Sequence, residues 1–217
     1  MFVILPYDPS TKFLKEITKN IQHLISGKVD DCMPENHGNT IDNIISQENS
    51  KTILFLGHGY SGGIYGGCYV AGTAQPLLRM NDGVEILKEK KIILLSCRSE
   101  EYIATIESAI TAGLGFGNII TSKSDLLTQK EKKKFRDITA INIFRSALLD
   151  VFSKSMIEAC ENNYTFLELY LGLKLRINKK ICHYSLSADE NEKLAGELFF
   201  ILRKEMKLFG DTNAYIL

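Results

Sequence analysis

Several features are missing from this sequence, and each absence excludes a class of protein. Lys plus Arg equals Asp plus Glu at 26 each, so no net charge favours nucleic acid or an anionic membrane surface. No stretch approaches the roughly 20 apolar residues of a membrane span. The five cysteines form no CxxC pair and are odd in number, which indicates free thiols in a reducing compartment rather than a disulfide framework. Tryptophan and internal repeats are also absent.

The first residues, MFVILPYDPST, carry no basic leader, and Pro6 ends their apolar run. That run is shorter than the core of a signal peptide. We therefore expect a soluble, cytoplasmic protein. The chain has 217 residues, 45% of them hydrophobic and 24% charged, which is globular composition and predicts a single domain over residues 1–217.

Short apolar runs alternate with helical patterns along the chain. Runs without polar alternation are typical of strands that are covered on both faces, as in a parallel sheet. The sequence therefore predicts an α/β fold, a three-layer α/β/α sandwich with a mostly parallel sheet. The predicted strands are Phe2–Leu5, Thr52–Leu56, Lys91–Leu95, Asn118–Thr121 and the terminal AYIL.

Helices are predicted where apolar residues recur at helical spacing. Ser99 is the predicted N-cap of one helix, with Glu100 and Glu101 in its first turn. The polar, lysine-rich Lys123 to Asp137 is predicted to be an exposed loop or a frayed helix. The predicted helices are Lys12 to Ile25, a weak one at Ile41 to Ser46, Gly83 to Lys88, Ser99 to about Ala112, and three marked by Ile141 to Phe152, Phe166 to Ile177 and Leu194 to Leu202.

Two of the predicted strands end in the same way. TILFL is followed by Gly57-His58-Gly59, and KIILL is followed by Ser96-Cys97. Sites in open parallel sheets form at the carboxyl ends of the strands. If these two strands are neighbours, His58 and Cys97 emerge side by side at that edge.

Such a pair has the parts of a nucleophilic catalyst. A cysteine thiol is only partly ionised at neutral pH, so a base such as His58 and a positive local potential favour its attack. The amino terminus of the helix that begins near Ser99 is expected to supply that potential. The backbone N–H groups of Gly59 and Cys97 are candidates to stabilise an oxyanion.

Other interpretations compete with the dyad. A histidine before glycine is often a turn residue, and a cysteine at a strand end is often a small buried hydrophobe. A zinc finger is not indicated by the spacing of Cys32, His37, His58 and Cys68. A second dyad is not favoured either, because Cys182 and His183, on a strand or turn, would face opposite sides.

GYSGGIYGG lacks the ending of a phosphate loop and is better explained as a substrate-binding loop or small hairpin. A flavodoxin-like or nucleotide-binding protein with an accidental dyad would need glycine in PYDPST, which has none.

The strings LGHG and LLSC resemble the His-Gly and Ser-Ala-Cys elements of the CHAT branch of caspase-like peptidases, which share their fold with caspases, separase and gingipains. AGLGFGNIITSKSDL resembles the turn, strand and Asp-containing loop of CHAT domains, and NIFRSALLDVF with TFLELYLGLKLRI resembles their closing helix pair. The likeness covers roughly residues 50 to 180. Ser96, Leu95 and the loop with Ser122 and Lys123 depart from the family pattern.

The resemblance implies a cysteine endopeptidase without a cofactor, working through a thioester acyl-enzyme. His58 would be the general acid and base, Cys97 the nucleophile and Gly59 part of the oxyanion hole. Leu95 and Ser96 would line the substrate pocket, where Asp125 would either bind a basic side chain or cap a turn. The family also implies a protein substrate, an activating or recruiting protein partner, and a place in prokaryotic cell death or antiviral defence. The alternative is a catalytically idle CHAT-like module that binds or scaffolds other proteins.

Overall fold

The fold is built around a six-stranded, mostly parallel sheet. The computed structural model describes residues 1–30, 32–49, 51–67, 75–125, 134–135 and 138–217. The sheet contains β1 (Phe2–Ile4), β2 (Gly27–Val29), β3 (Thr52–Leu56), β7 (Lys91–Leu95), β8 (Ala112–Gly115) and β9 (Lys207–Gly210), in the order β2-β1-β3-β7-β8-β9. All neighbouring pairs run parallel except β8 and β9. A second sheet is formed by β4 (Gly59–Tyr60), β5 (Gly63–Tyr65) and β6 (Pro76–Arg79), which pair antiparallel.

Helices cover both faces of the large sheet. Side chains alternate between faces along a strand, so Leu54 and Leu56 belong to one apolar cluster while Ile53 and Phe55 belong to the other. The first cluster lies under α1 (Lys15–Asn20), α5 (Thr139–Glu161), α6 (Phe166–Ser185) and α7 (Glu190–Glu205). The second lies under α2 (His37–Ile45), α3 (Met80–Ile86) and α4 (Ser99–Ile106). The α/β class and the mostly parallel sheet are therefore confirmed, and the helices form the two outer layers.

Several predicted elements have different bounds in the structure. The predicted helix after Thr11 is broken into a 3₁₀ turn, α1 and a second 3₁₀ turn. The prediction that a helix runs from Ser99 to about Ala112 is wrong, because α4 ends at Ile106 and β8 begins at Ala112. Asn118–Thr121 and the terminal AYIL are not strands; the AYIL segment has a single bridge, from Tyr215 to Thr165, and the last strand is β9. Of the predicted loop Lys123 to Asp137, residues 126–133 and 136–137 lie outside the described residues.

The turn after β7 is held by the hydroxyl of Ser99. Ser99 is the first residue of α4 rather than its N-cap; Arg98 occupies the cap position in a left-handed conformation with φ 55°. The buried Ser99 Oγ donates to the Leu94 carbonyl at 2.6 Å and accepts from the Phe116 N–H at 2.9 Å. Arg98 also forms a bidentate ion pair with Glu101, with both N···O distances at 2.8 Å. These contacts fix the direction in which the chain leaves β7, and therefore the position of Cys97.

In the part of the chain that the structure describes, no helix is both long enough and apolar enough to cross a membrane.

Candidate active site

His58 and Cys97 follow adjacent strands at matching positions. β3 and β7 pair in parallel, and Leu56 lies opposite Leu95 in the register. The Gly57 N–H continues this ladder toward the Leu95 carbonyl at 3.4 Å. His58 and Cys97 are each two residues beyond this last pair, so they leave the sheet at the same edge. The structure thus brings together the two side chains that the sequence predicts as a pair.

Both side chains line one cavity at this edge. Its volume is about 20 Å³, which is room for about one water molecule. The walls are mostly apolar, and Asp125 supplies a carboxylate. The lining residues are Thr11, Phe13, Leu14, Gly57, His58, Leu95, Ser96, Cys97, Ile119, Thr121, Asp125 and Leu148.

The loop after β1 holds the His58 imidazole. Ser10 Oγ lies 2.7 Å from His58 Nε2 and donates its own hydrogen to Asp8 Oδ1. Ser10 therefore accepts from Nε2–H, which leaves Nδ1 as the ring nitrogen that can take up a proton. Asp8 Oδ1 is itself 3.4 Å from Nε2, and the Asp8 side chain is only 14% exposed. This arrangement orients the ring and places a negative charge beside the imidazolium that forms when His58 accepts a proton.

The carboxyl group of Asp8 stays ionised over a wide pH range. Burial acts to raise its pKa, but hydrogen bonds from Ser10 and the charge and hydrogen bond of His58 outweigh it, so the net pKa is lowered. A carboxylate with a lowered pKa is fully charged at neutral pH. Asp8 can therefore stabilise a protonated His58 under ordinary conditions.

The Cys97 thiol is protonated in this conformation. Burial raises its pKa to about 11, and the negative charges of Asp125 and Glu100 act in the same direction. The thiol donates to the Ile119 carbonyl with Sγ and oxygen 3.4 Å apart. The sequence argument expected the amino terminus of α4 to favour the thiolate. The helix does begin at Ser99, but burial and these carboxylates raise the pKa of the Cys97 thiol above its ordinary value.

The alkylation of Cys97 by iodoacetamide is expected to follow this high pKa. Only the thiolate reacts, so the rate should rise about tenfold per pH unit between pH 7 and 10, with a midpoint near pH 11. Peptide mapping of the labelled protein at each pH would give the rate at Cys97, with the exposed Cys182 as an internal reference. A Cys97 midpoint at or below pH 8.5 would show that the resting thiol is already activated.

Gly59 packs directly against the turn that carries Cys97. A Cβ atom on Gly59 would lie 2.7 Å from Ser96 Oγ and 2.8 Å from the Cys97 carbonyl oxygen. Real Cβ atoms do not approach so closely, so this position accepts only glycine without displacement. Ser96 itself is 1% exposed, and its Oγ has no hydrogen-bond partner among the described residues. A buried hydroxyl without a partner is costly, and this one lines the cavity.

Leu95 and Asp125, the two residues that the resemblance implies for substrate binding, both line the cavity at Cys97. Leu95 is 1% exposed and gives the cavity an apolar wall. Asp125 Oδ2 accepts from the backbone N–H groups of Thr121 and Ser122 at 2.8 and 2.7 Å. Asp125 therefore caps a turn and also faces the cavity. Arg145 lies close enough that the charge of Asp125 opposes the lowering of the arginine pKa by burial.

Among the described residues, the other candidates form no second centre. His37 Nε2 lies 3.0 Å from the Cys32 backbone carbonyl, and Cys68 lies outside the described residues. Among the residues whose placement is described, no group of three or more His, Cys, Asp or Glu side chains is arranged to hold a metal ion.

The placement of Cys182-His183 on a strand or turn is wrong, because both residues lie within α6. The start of GYSGGIYGG forms the β4–β5 hairpin, while the segment from Cys68 to Ala74 is outside the described residues.

Sequence reasoning missed Asp8 and Ser10. Their contact with His58 joins residues far apart in the chain, and neither the PYDPST string nor its spacing signals such a contact. One signal was available, since the carboxyl end of β1 meets the same sheet edge as the end of β3 when the two strands are neighbours.

No family model matches the chain, and the curated proteins contain no match to it either.

Proposed function

We propose that this chain is a caspase-like cysteine endopeptidase that cleaves a protein substrate through His58 and Cys97. The observation that carries the proposal is the matching position of the two residues beyond adjacent parallel strands, where they line one cavity. The Asp8–Ser10 pair supports it, because an oriented imidazole with a nearby carboxylate is the arrangement that a general base needs.

The chemistry follows from these groups. His58 Nδ1 takes the Cys97 proton as Sγ attacks the carbonyl carbon of the scissile peptide bond, and the carbonyl oxygen becomes an oxyanion. When the C–N bond breaks, the leaving amine takes the proton from His58, and a thioester remains on Cys97. A water molecule then attacks the thioester while His58 accepts its proton. Release of the carboxylic acid returns the proton to Cys97 and restores the resting thiol.

The resting conformation needs a change before it can act. A cavity of about 20 Å³ does not hold a substrate side chain, and a thiol with a pKa of about 11 is almost entirely protonated at neutral pH. Opening of this cavity by the substrate or by a protein partner would admit the side chain and bring His58 into use as the base. We therefore include an activating or recruiting partner in the proposal, with a place in prokaryotic defence or cell death.

The small cavity and the high pKa of Cys97 also favour a second candidate, a catalytically idle module that binds or scaffolds other proteins. In that case the closed cavity and the protonated thiol would be permanent. The dyad, the oriented imidazole and the close fit of Gly59 against Cys97 would then have no chemical use. The two candidates differ in one measurable property, the reactivity of Cys97 toward a substrate-like electrophile.

Intact-protein mass spectrometry with peptidyl acyloxymethyl ketones tests the proposal. Probes with acidic, basic and small apolar end residues are incubated with the wild type over a range of pH and probe concentration. We expect one covalent adduct from at least one probe, because these ketones alkylate an activated catalytic thiol. The preferred end residue would show whether Asp125 selects a basic side chain.

Two cysteine variants locate the adduct. Cys97→Ala should abolish it, whereas Cys182→Ala, which removes an exposed thiol on α6, should leave it unchanged. An adduct that persists in Cys97→Ala would contradict the assignment of the nucleophile. No adduct under any condition would favour the idle module.

A further inference from the structure

A second, larger cavity lies next to the catalytic pair, at the carboxyl ends of β1 and β2. Its volume is about 260 Å³, far above the roughly 10–15 Å³ that one water molecule requires. The walls come mainly from the segment after β1 and from the end of β2, with Leu5, Pro6 and Tyr7 on one side. Unlike the cavity at Cys97, this one is already open enough to receive a side chain.

The cavity carries an excess of positive charge. Lys12, Lys15 and Lys28 line it together with two carboxylates, Asp8 and Asp30. Lys28 Nζ donates to Asp30 Oδ2 at 2.8 Å, and Asp8 is engaged by Ser10 and His58. Within the described ranges, no carboxylate lies at ion-pairing distance from Lys12 or Lys15, both of which are exposed. These two ammonium groups have no ion-pair contact with a described residue, although the charge of Lys15 also helps to lower the pKa of Asp30.

The cavity lies beside the catalytic cavity. Thr11 lines both of them. Asp8 lines the larger cavity and also lies 3.4 Å from Nε2 of His58. An extended peptide bound across His58 and Cys97 would therefore pass the mouth of the larger cavity within a few residues of the scissile bond.

We propose that this cavity is a specificity subsite that binds an acidic side chain of the protein substrate, with Lys12 and Lys15 as its ion-pair partners. The inference rests on the proposed peptidase function and adds a substrate class to it. A single Asp or Glu carboxylate fits the concave shape, where two ammonium groups can surround it. A nucleic acid backbone fits less well, because a cavity of about 260 Å³ admits one side chain rather than a run of phosphate groups.

Cleavage-site profiling of a proteome-derived peptide library tests the inference. The library is digested with the wild type, with Lys12→Glu/Lys15→Glu, and with the matched control Lys88→Glu/Lys204→Glu, which changes the charge equally at exposed sites elsewhere. We expect the wild type to enrich Asp or Glu at one position near the scissile bond. The Lys12→Glu/Lys15→Glu variant should lose that preference about tenfold and gain Lys or Arg there, since ion pairs mainly set specificity.

Failure of the subsite and failure of the peptidase function give different results. Cleavage without an acidic preference, or with the same preference in both double variants, would overturn the subsite and leave the peptidase standing. Absence of all cleavage would count against the peptidase function. In that case a peptide-binding assay tests whether the subsite exists. In that assay, fluorescein-labelled hexaglutamate and hexaglutamine peptides are titrated into the Cys97→Ala chain and followed by anisotropy.

The binding assay also has outcomes that support the subsite and outcomes that overturn it. Tighter binding of hexaglutamate than hexaglutamine, weakened about tenfold by Lys12→Glu/Lys15→Glu and unchanged in the control, supports the subsite. Equal binding of the two peptides overturns it. Competition by millimolar inorganic phosphate that abolishes all discrimination between the peptides would also overturn it, because it would show a site for a small anion only.

Discussion

Replacement of His58 by alanine is expected to lower the rate at which an acyloxymethyl ketone labels Cys97 by about 10²–10⁴-fold, the range for loss of a positioned acid–base group. The effect should be large because the protein does little else to ionise this thiol. With a pKa of about 11, roughly one molecule in 10⁴ carries the thiolate at pH 7. Nucleophilic attack near neutral pH therefore depends on transfer of the proton to His58. Labelling rates followed by intact-protein mass spectrometry would measure the loss.

The control for this variant is His23→Ala, which removes an exposed histidine from a 3₁₀ turn. Its labelling rate should equal that of the wild type. Equal rates for His58→Ala and wild type would contradict the role of His58 and would mean that the thiol is activated in another way. Thermal unfolding of both variants would show whether a lower rate in His58→Ala reflects lost chemistry rather than lost folding.

The position of the His58–Cys97 pair was predictable because it depends on two patterns that sequence reveals well. TILFL and KIILL are continuous apolar runs, and a buried parallel strand is the structure that such runs favour. Once the two strands are neighbours in register, the residues that follow them must meet at the same sheet edge. The resemblance to CHAT domains was carried by the same residues, so it is not an independent confirmation of the fold.

The strand β8 was not predictable from propensity. Ala112–Gly115 contains two glycines, which normally disfavour a strand, so the segment was interpreted as the end of a helix. The structure gives the reason for Gly115, since a Cβ atom there would lie 2.7 Å from the backbone of Glu100. The close packing of α4 on the sheet requires glycine at this point. A tertiary contact therefore overrides the local preference of the sequence.

The electrostatic state of Cys97 was also hidden from the sequence. The amino terminus of α4 follows the cysteine as expected, but burial raises the pKa of the thiol, and the negative charges of Asp125 and Glu100 raise it further. The pKa of the thiol depends on how deeply the side chain is buried, and no local sequence pattern encodes that burial. This is why the same residues can be read as a reactive pair from sequence and as a resting pair from structure.

Replacement of Gly59 by alanine is expected to lower the labelling rate of Cys97 by about 10²-fold. The new methyl group would overlap the Cys97 carbonyl oxygen at 2.8 Å and the Ser96 Oγ at 2.7 Å. Neither can move aside freely, because one is backbone and the other is a buried side chain. The turn that carries the nucleophile must therefore shift by several tenths of an ångström relative to His58, and a displacement approaching 1 Å in an active site costs about 10²-fold in rate.

Gly38→Ala provides the matched control for the Gly59 variant. Gly38 lies in α2, and a Cβ atom there would meet no atom within 4 Å. Alanine should therefore leave the labelling rate unchanged and stabilise the protein by up to about 1 kcal/mol, because alanine in place of glycine lowers the conformational entropy of the unfolded chain. Urea unfolding would measure that gain beside the rate. If Gly59→Ala labelled Cys97 as fast as Gly38→Ala, the close packing of Gly59 against the nucleophile would have no part in catalysis, and its place in the oxyanion hole would be lost with it.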